Sequence, residues 1–222
     1  MSDQSIRLWP PPCHLLRGSS DARQYAPAAV RNAGPILDVL SRFLPPTGTA
    51  LEIGSGTGQH VVAFAAAHPE LMWQPSDPDP ELRASIAAWT AAAGLANVRP
   101  PRNLDVMAEG WERAGDRPVA GIACINLLHI APWAACAGLM RGAGKLLEPG
   151  APLYLYGAFK QGGAHTAPSN AAFDRALRAH NPDWGVRDLE AVVDCASAHG
   201  LDLADTSAMP SNNLSVILCR LA

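Results

Sequence analysis

Short strand-like runs alternate with helix-like runs along nearly the whole chain, and this alternation leaves few folds open. The strand-like runs are TALEIG (49–54), LMWQPSD (71–77), VRPPRNLDV (98–106), VAGIACINLL (119–128) and APLYLYGAF (151–159). Between them lie the helix-like runs HVVAFAAAH (60–68), PELRASIAAWTAAAG (80–94) and WAACAGLMRGAGKLL (133–147). Strand–helix alternation implies a mostly parallel sheet with helices on both faces. VAGIACINLL is almost continuously apolar, as an interior parallel strand should be. HVVAFAAAH is apolar all round, which predicts burial on every side.

The flanking segments complete the plan. PAAVRNAGPILDVLSRFL (27–44) reads as a first helix that Pro35 can split in two. Late in the chain, SNAAFDRALRAH has Ser169 as its natural N-cap, and RDLEAVVDCASAHG closes on Gly200. LDLADTSAM and NLSVILCRL then follow each other directly, so the chain ends in a hairpin that adds one antiparallel strand to the sheet. The expectation is a seven-stranded, mostly parallel α/β sheet in one domain over residues 25–222. Residues 1–24, with the breaker-rich WPPPCHLLRGSS, read as an irregular arm.

The loop after the first strand carries the most specific signal. In LEIGSGTGQH (51–60), Gly54, Gly56 and Gly58 occupy alternate positions. The dinucleotide fingerprint G-x-G-x-x-G fails in both registers, because its third glycine would fall on Gln59 or Val61. The phosphate loop G-x-x-x-x-G-K-[ST] is absent as well. A nicotinamide oxidoreductase is therefore disfavoured. Glu52, Gly54, Gly56 and Gly58 form E-x-G-x-G-x-G instead, which resembles the first motif of class I S-adenosylmethionine (SAM) methyltransferases. A bare loop lets backbone lie against a ligand that has no pyrophosphate to cradle. The plain alternative is a tight strand-to-helix turn.

A ribose-binding carboxylate is expected about 20 residues further on, at the end of the second strand. Asp77 lies there, in SDPDP, where it would also make good turn chemistry. Asp105 and Val106 follow the third strand and are candidates for an adenine amino group and ring nitrogen. Asn126 and Leu127 end the fourth strand, and His129 and Trp133 come just after it in INLLHIAPW. His129 is the candidate general base, set against a structural histidine. Asn126 could contact an amine nucleophile or the cofactor, and Trp133 could wall the acceptor pocket or simply pack.

The segments PAAVRNAGPIL, LEIGSGTGQH, WQPSDPD, CINLLHIAPW, LYLYGAF, SNAAFDRALR, NPDWGVRDLE and MPSNN occur together and in this order. From about Tyr25 to Ala222 the chain resembles a family of methyltransferase-like proteins of bacteria and animals, long described as a domain of unknown function. That resemblance implies the Rossmann-like SAM-methyltransferase fold, SAM as cofactor and S-adenosylhomocysteine (SAH) as product, and no particular acceptor. Two positions depart from the family pattern: Val30 stands where an acidic residue precedes the Arg31-Asn32 pair, and Ala158 replaces the proline of YGPF.

The full set of candidates follows from the motifs and the resemblance together. Glu52, Gly54, Ser55, Gly56, Gly58, Gln59, His60, Asp77, Asp105, Val106, Asn126, Leu127 and Arg31 are expected around the cofactor. Asn32, Trp133, Tyr156, Asn170, Met209 and Asn212 are expected around the acceptor. No metal ligand set is expected.

Composition narrows the function classes. Of 222 residues, 48% are hydrophobic and the net charge is −3, with no basic block, which disfavours an electrostatic grip on nucleic acid. The five scattered cysteines include no CxxC pair and read as reduced thiols. With no apolar run of membrane-spanning length and no signal-like N-terminus, the cytoplasm is the expected compartment. The leading expectation is a methyltransferase acting on a small molecule. A non-catalytic SAM/SAH-binding partner protein is the rival, and a protein methyltransferase is a further alternative. The sequence assigns no oligomeric state.

Overall fold

A computed structural model describes residues 21–114 and 119–221. Most of the expected N-terminal arm lies outside them. Helix α1 (Pro27–Leu40) leads to β1 (Gly48–Ile53), α2 (Gln59–Ala67), β2 (Leu71–Ser76) and α3 (Pro80–Ala93). Next come β3 (Gly121–Ile125), α4 (Trp133–Leu146) and β4 (Pro152–Gly157). A small insert follows: β5 (Phe159–Gln161), β6 (Ala164–His165), α5 (Pro168–His180) and β7 (Arg187–Asp188). Helix α6 (Leu189–Ser197), β8 (Leu201–Met209) and β9 (Asn213–Arg220) complete the chain.

The main sheet has the order β2-β1-β3-β4-β9-β8. β1, β2, β3 and β4 pair in parallel, whereas β9 is antiparallel to both β4 and β8. The closing hairpin thus adds a single reversed strand, as its consecutive strand signals imply. The ladder has six strands, not seven. The expected third strand, 98–106, forms only isolated bridges from Val98 and Arg102 to β2. Its amides at Arg99 and Arg102 do reach β2 carbonyls. Pro100 and Pro101, between them, have no N–H to donate, so a seventh strand position is occupied without a continuous ladder.

Strand alternation splits the core in two. Leu51, Ile53, Ile122, Cys124, Leu153 and Leu155 face α4 and α6. Ala50, Ala123, Ile125, Tyr154 and Tyr156 face the other way, toward α1 and α2. Helices therefore cover both faces. On α2, Val61, Phe64 and Ala65 are buried, but Ala66 and Ala67 are exposed, so the all-round burial expected of it does not occur. Alanine is small enough to sit on either side of a helix at little cost, which blurs the apolar pattern.

Three further local expectations are revised. Helix α1 is a single helix with Pro35 inside it. Helix α5 starts at Pro168 with Ala167 as N-cap, not Ser169, because proline fits the first helical position. The expected strand 151–159 ends at Gly157, and Phe159 opens β5, which with β6 joins β7 in a second three-stranded sheet. Ile130, Ala158, Leu177, Trp184 and Val186 form a third small core in this insert, above the carboxyl ends of β3 and β4.

Among the described residues no helix is long and apolar enough to cross a membrane.

Candidate functional site

Parallel strands deliver their following loops to one edge of the sheet, where open α/β proteins bind ligands. Here a cleft of about 350 Å³, counted with the solvent at its mouth, is lined by Gly54, Asp77, Pro78, Leu82, Ile125, Leu127 and Ile130. Gly54 and Gly56 have φ of 65° and 57°, the left-handed conformation that glycine adopts without strain. At Gly54 the backbone itself lines the cleft.

Asp77 follows β2 and organises the glycine loop. Its Oδ2 accepts from the Gly56 amide at 3.0 Å and its Oδ1 from the Asp79 amide at 3.0 Å. Burial pushes its carboxyl up to about 6, against the pull of those two amides. An ionised carboxylate has about four acceptor sites, so two remain for a ligand's hydroxyl pair. Apolar Pro78, Leu82, Leu127 and Ile130 beside it suit a flat ring.

Glu52 lies beneath the loop with 1% of its surface exposed. Its Oε2 has no hydrogen-bond partner, and burial pushes it up to about 8. At neutral pH it is mostly a carboxylic acid.

A second group gathers at the ends of β3 and β4. Asn126 adopts φ 59°, uncommon for a residue with a side chain, and its amide donates to the Tyr156 carbonyl at 2.8 Å. A Cβ on Gly157 would meet His129 Nδ1 at 3.1 Å and Asn126 Oδ1 at 3.6 Å, so both side chains crowd the end of β4. His129 is 6% exposed and lies edge-on to Phe173, with ring centroids 5.1 Å apart. Burial, with the Arg187 guanidinium nearby, lowers its imidazole to about 4.

A polar chain runs across four elements, α1, α2, β4 and β9. His60 Nε2 meets Asn32 Oδ1 at 2.7 Å, and Asn213 Nδ2 donates to the Tyr156 hydroxyl at 3.0 Å. Asn32 also reaches the Tyr156 hydroxyl. Burial holds His60 near 4, so it is neutral and, with Asn32's oxygen accepting, protonated on Nε2.

Several sequence candidates do other work. Gly58 has φ 90°, and a Cβ there would lie 2.7 Å from Ile86 Cα, so its bareness admits α3 rather than a ligand. Ser55 Oγ accepts from the Ser76 amide at 3.1 Å, locking the loop between β1 and β2. Gln59 Oε1 accepts from the Ala26 amide at 2.6 Å and from Thr57 Oγ1 at 3.0 Å, anchoring the start of α1. Asp105 Oδ1 accepts from the Met107 amide at 2.9 Å and shapes its own turn. Val106 is buried, and its carbonyl sits where a Cβ of Gly138 would be.

Arg31 and Trp133 are exposed, Trp133 by 40%. Asn170 Nδ2 donates to the Asn212 carbonyl at 2.8 Å, and Asn212 Nδ2 to Ser169 Oγ at 3.1 Å, clasping α5 to the β8–β9 turn. Met209 is buried beside Tyr156 in the core on the α1 face.

The structure adds Pro78, Leu82, Ile125 and Ile130 to the cleft, and Gly157 and Phe173 beside His129. The aliphatic ones have no motif signal. Gly157 does, since a glycine ending a buried strand signals a close approach.

The sheet order, its reversed β9 and the glycine loop define the fold of SAM-dependent methyltransferases. An O-methyltransferase family protein from Burkholderia thailandensis superposes with a TM-score of 0.73 at 18% identity, covering 88% of this chain and 58% of that one. CalO1, a methyltransferase in calicheamicin biosynthesis solved in its SAH-bound form, gives 0.69 at 15% identity, over 87% and 54%. The chain belongs to the family described as "Protein of unknown function (DUF938)", whose pattern spans residues 23–220. It is also 34% identical over 102 residues to a tRNA (guanine-N(7)-)-methyltransferase of Rhodopseudomonas palustris (strain BisA53), covering 46% of this chain and 39% of that protein. The chain spans well under two thirds of each of these relatives.

Proposed function

We propose that this protein binds SAM in the Gly54–Asp77 cleft and transfers its methyl group to a small-molecule acceptor bound toward Asn126 and His129. The observation that carries this reading is the cleft itself: left-handed bare backbone at Gly54 and Gly56 faces a pinned carboxylate with two acceptor sites spare. That combination fits an adenosine with a ribose diol and a flat base better than it fits a pyrophosphate.

Bound SAM would supply an electrophilic methyl on a sulfonium. Asp77 would accept from the ribose hydroxyls, and Pro78, Leu82 and Leu127 would flank the base. The uncharged Asn126, His129 and Tyr156 would orient the acceptor, and alignment of this kind can supply much of the acceleration of an in-line transfer. Asn32 and His60 would hold Tyr156 from behind. Arg31 and Trp133, both exposed, are left with roles at the rim.

A small acceptor is favoured over tRNA, despite the likeness to a tRNA enzyme. A chain of net charge −3 without a basic block has little electrostatic hold on a polyanion. Calorimetry with SAH, SAM and NADH tests the central claim. SAH and SAM should bind, NADH should not, and Gly56→Arg should abolish binding. If neither sulfur ligand binds, the reading fails. Transfer of labelled methyl to purified tRNA would replace the small-molecule half of it, and tight SAH binding without transfer to any metabolite would favour a non-catalytic binding protein.

A further inference from the structure

We propose that the acceptor is a neutral nitrogen heterocycle, which attacks the methyl with a ring-nitrogen lone pair that carries no proton. This deepens the methyltransferase reading and rests on it. The argument begins with what surrounds the transfer position. The side chains of Asn126 and His129 come together over Gly157 at the end of β4, and the hydroxyl of Tyr156, the residue before it, is held by Asn213 and Asn32, with His60 on Asn32. All are uncharged polar groups at neutral pH, and amides and a neutral imidazole each offer a donor beside an acceptor. The edge of a nitrogen heterocycle presents the same alternation.

Two imidazoles there would ordinarily suit proton removal: His60, which burial lowers to about 4 and Asn32 engages, and His129, whose surroundings oppose it as well. Its ring is buried against Phe173, and its nitrogens have no hydrogen bond among the described residues. The charged group that bears on it is a cation: Arg187, held by the Leu128 carbonyl at 3.0 Å and the Asp183 carbonyl at 2.8 Å. No carboxylate engages the ring among the described residues. Taking up a proton would create a buried imidazolium beside a guanidinium, in line with an imidazole lowered to about 4. A hydroxyl or an ammonium acceptor, which must lose a proton, would find neither imidazole ready to receive it.

A ring nitrogen needs none. Its lone pair forms the new N–C bond, the C–S bond breaks with its electrons going to sulfur, and the positive charge passes from sulfonium to ring. No proton moves in the step. His129 is then a positioning residue that presents a neutral donor and acceptor to the acceptor molecule.

Three measurements on the full chain test this. Imidazole NMR of the unliganded protein, with His129→Gln for assignment, should show His129 neutral throughout; an inflection between about pH 6 and 7.5 overturns the inference. Labelled SAM offered with guanosine, nicotinamide and quinoline, against catechol and a primary amine, should methylate a heterocycle. The kcat for that heterocycle should vary by less than about twofold from about pH 6 to 9, where a required base would impose a rising limb. Methylation of catechol or amine alone, or of no heterocycle, overturns it. SAH calorimetry on the same sample separates the two claims, since tight SAH binding with hydroxyl-only turnover sinks the heterocycle and leaves the methyltransferase standing.

Discussion

The Gly56 amide donates to Asp77 Oδ2 at 3.0 Å, so one carboxylate ties the glycine loop after β1 to the turn after β2. Asp77→Asn would replace one oxygen by an NH2 that faces either the Gly56 or the Asp79 amide, donor against donor. We expect the SAH dissociation constant to rise about 10- to 100-fold, read by calorimetry. Unchanged affinity would mean that the ligand does not use this carboxylate.

Gly58 and Gly54 share a motif but should fail differently. Gly58→Ala places a Cβ 2.7 Å from Ile86 Cα in a backbone of φ 90°, and should lower unfolding stability by roughly 1–3 kcal/mol in denaturant titrations. Gly54→Ala meets the Leu127 side chain, at 3.5 Å and beyond. Its larger effect should be on SAH affinity, because the added methyl enters the cleft.

Stability should fall as pH rises from about 6.5 to 8 and change little between about 4.5 and 6, where two raised carboxyls, Glu52 and Asp77, oppose two lowered imidazoles. Glu52 is raised from its ordinary 4.5 to about 8, so between those values the folded state holds the extra proton and stability falls as pH rises. His60 and His129 are lowered from 6.5 to about 4, so the unfolded state holds more protons there and stability falls as pH drops through that window. Thermal melts should show Glu52→Gln flattening the alkaline side at up to about 1.4 kcal/mol per pH unit, and leaving the two imidazoles to outweigh Asp77 so that stability falls as pH drops below about 6. A full alkaline slope in that variant would show that Glu52 is ionised in the fold.

Asn97 is a support outside the site. Its Nδ2 lies 2.9, 3.0 and 3.1 Å from the carbonyls of Ala65, His68 and Leu71, closing the end of α2 and the start of β2. Asn97→Ala should cost about 1–3 kcal/mol of stability in chemical denaturation, with SAH affinity within about twofold of the parent.

The strand–helix alternation, the three alternate glycines and the acid placed after the second strand were sufficient to read the fold class and the position of the cleft. These are local signals: each depends on periodicity or on the conformational freedom of one residue. Much of the site was not local. Gly54 and Gly58 look equivalent in GSGTG, and only the approach of α3 assigns Gly58 to packing. Pro100 and Pro101 were visible, but whether β2 would still take Arg99 and Arg102 as partners depended on the sheet edge. His129 reads as a base in isolation, because an imidazole titrates near neutrality in water. Burial, Phe173 and Arg187, a residue 58 positions away in the chain, make it neutral and unbasic, and desolvation is a property of the packed fold and not of the residue.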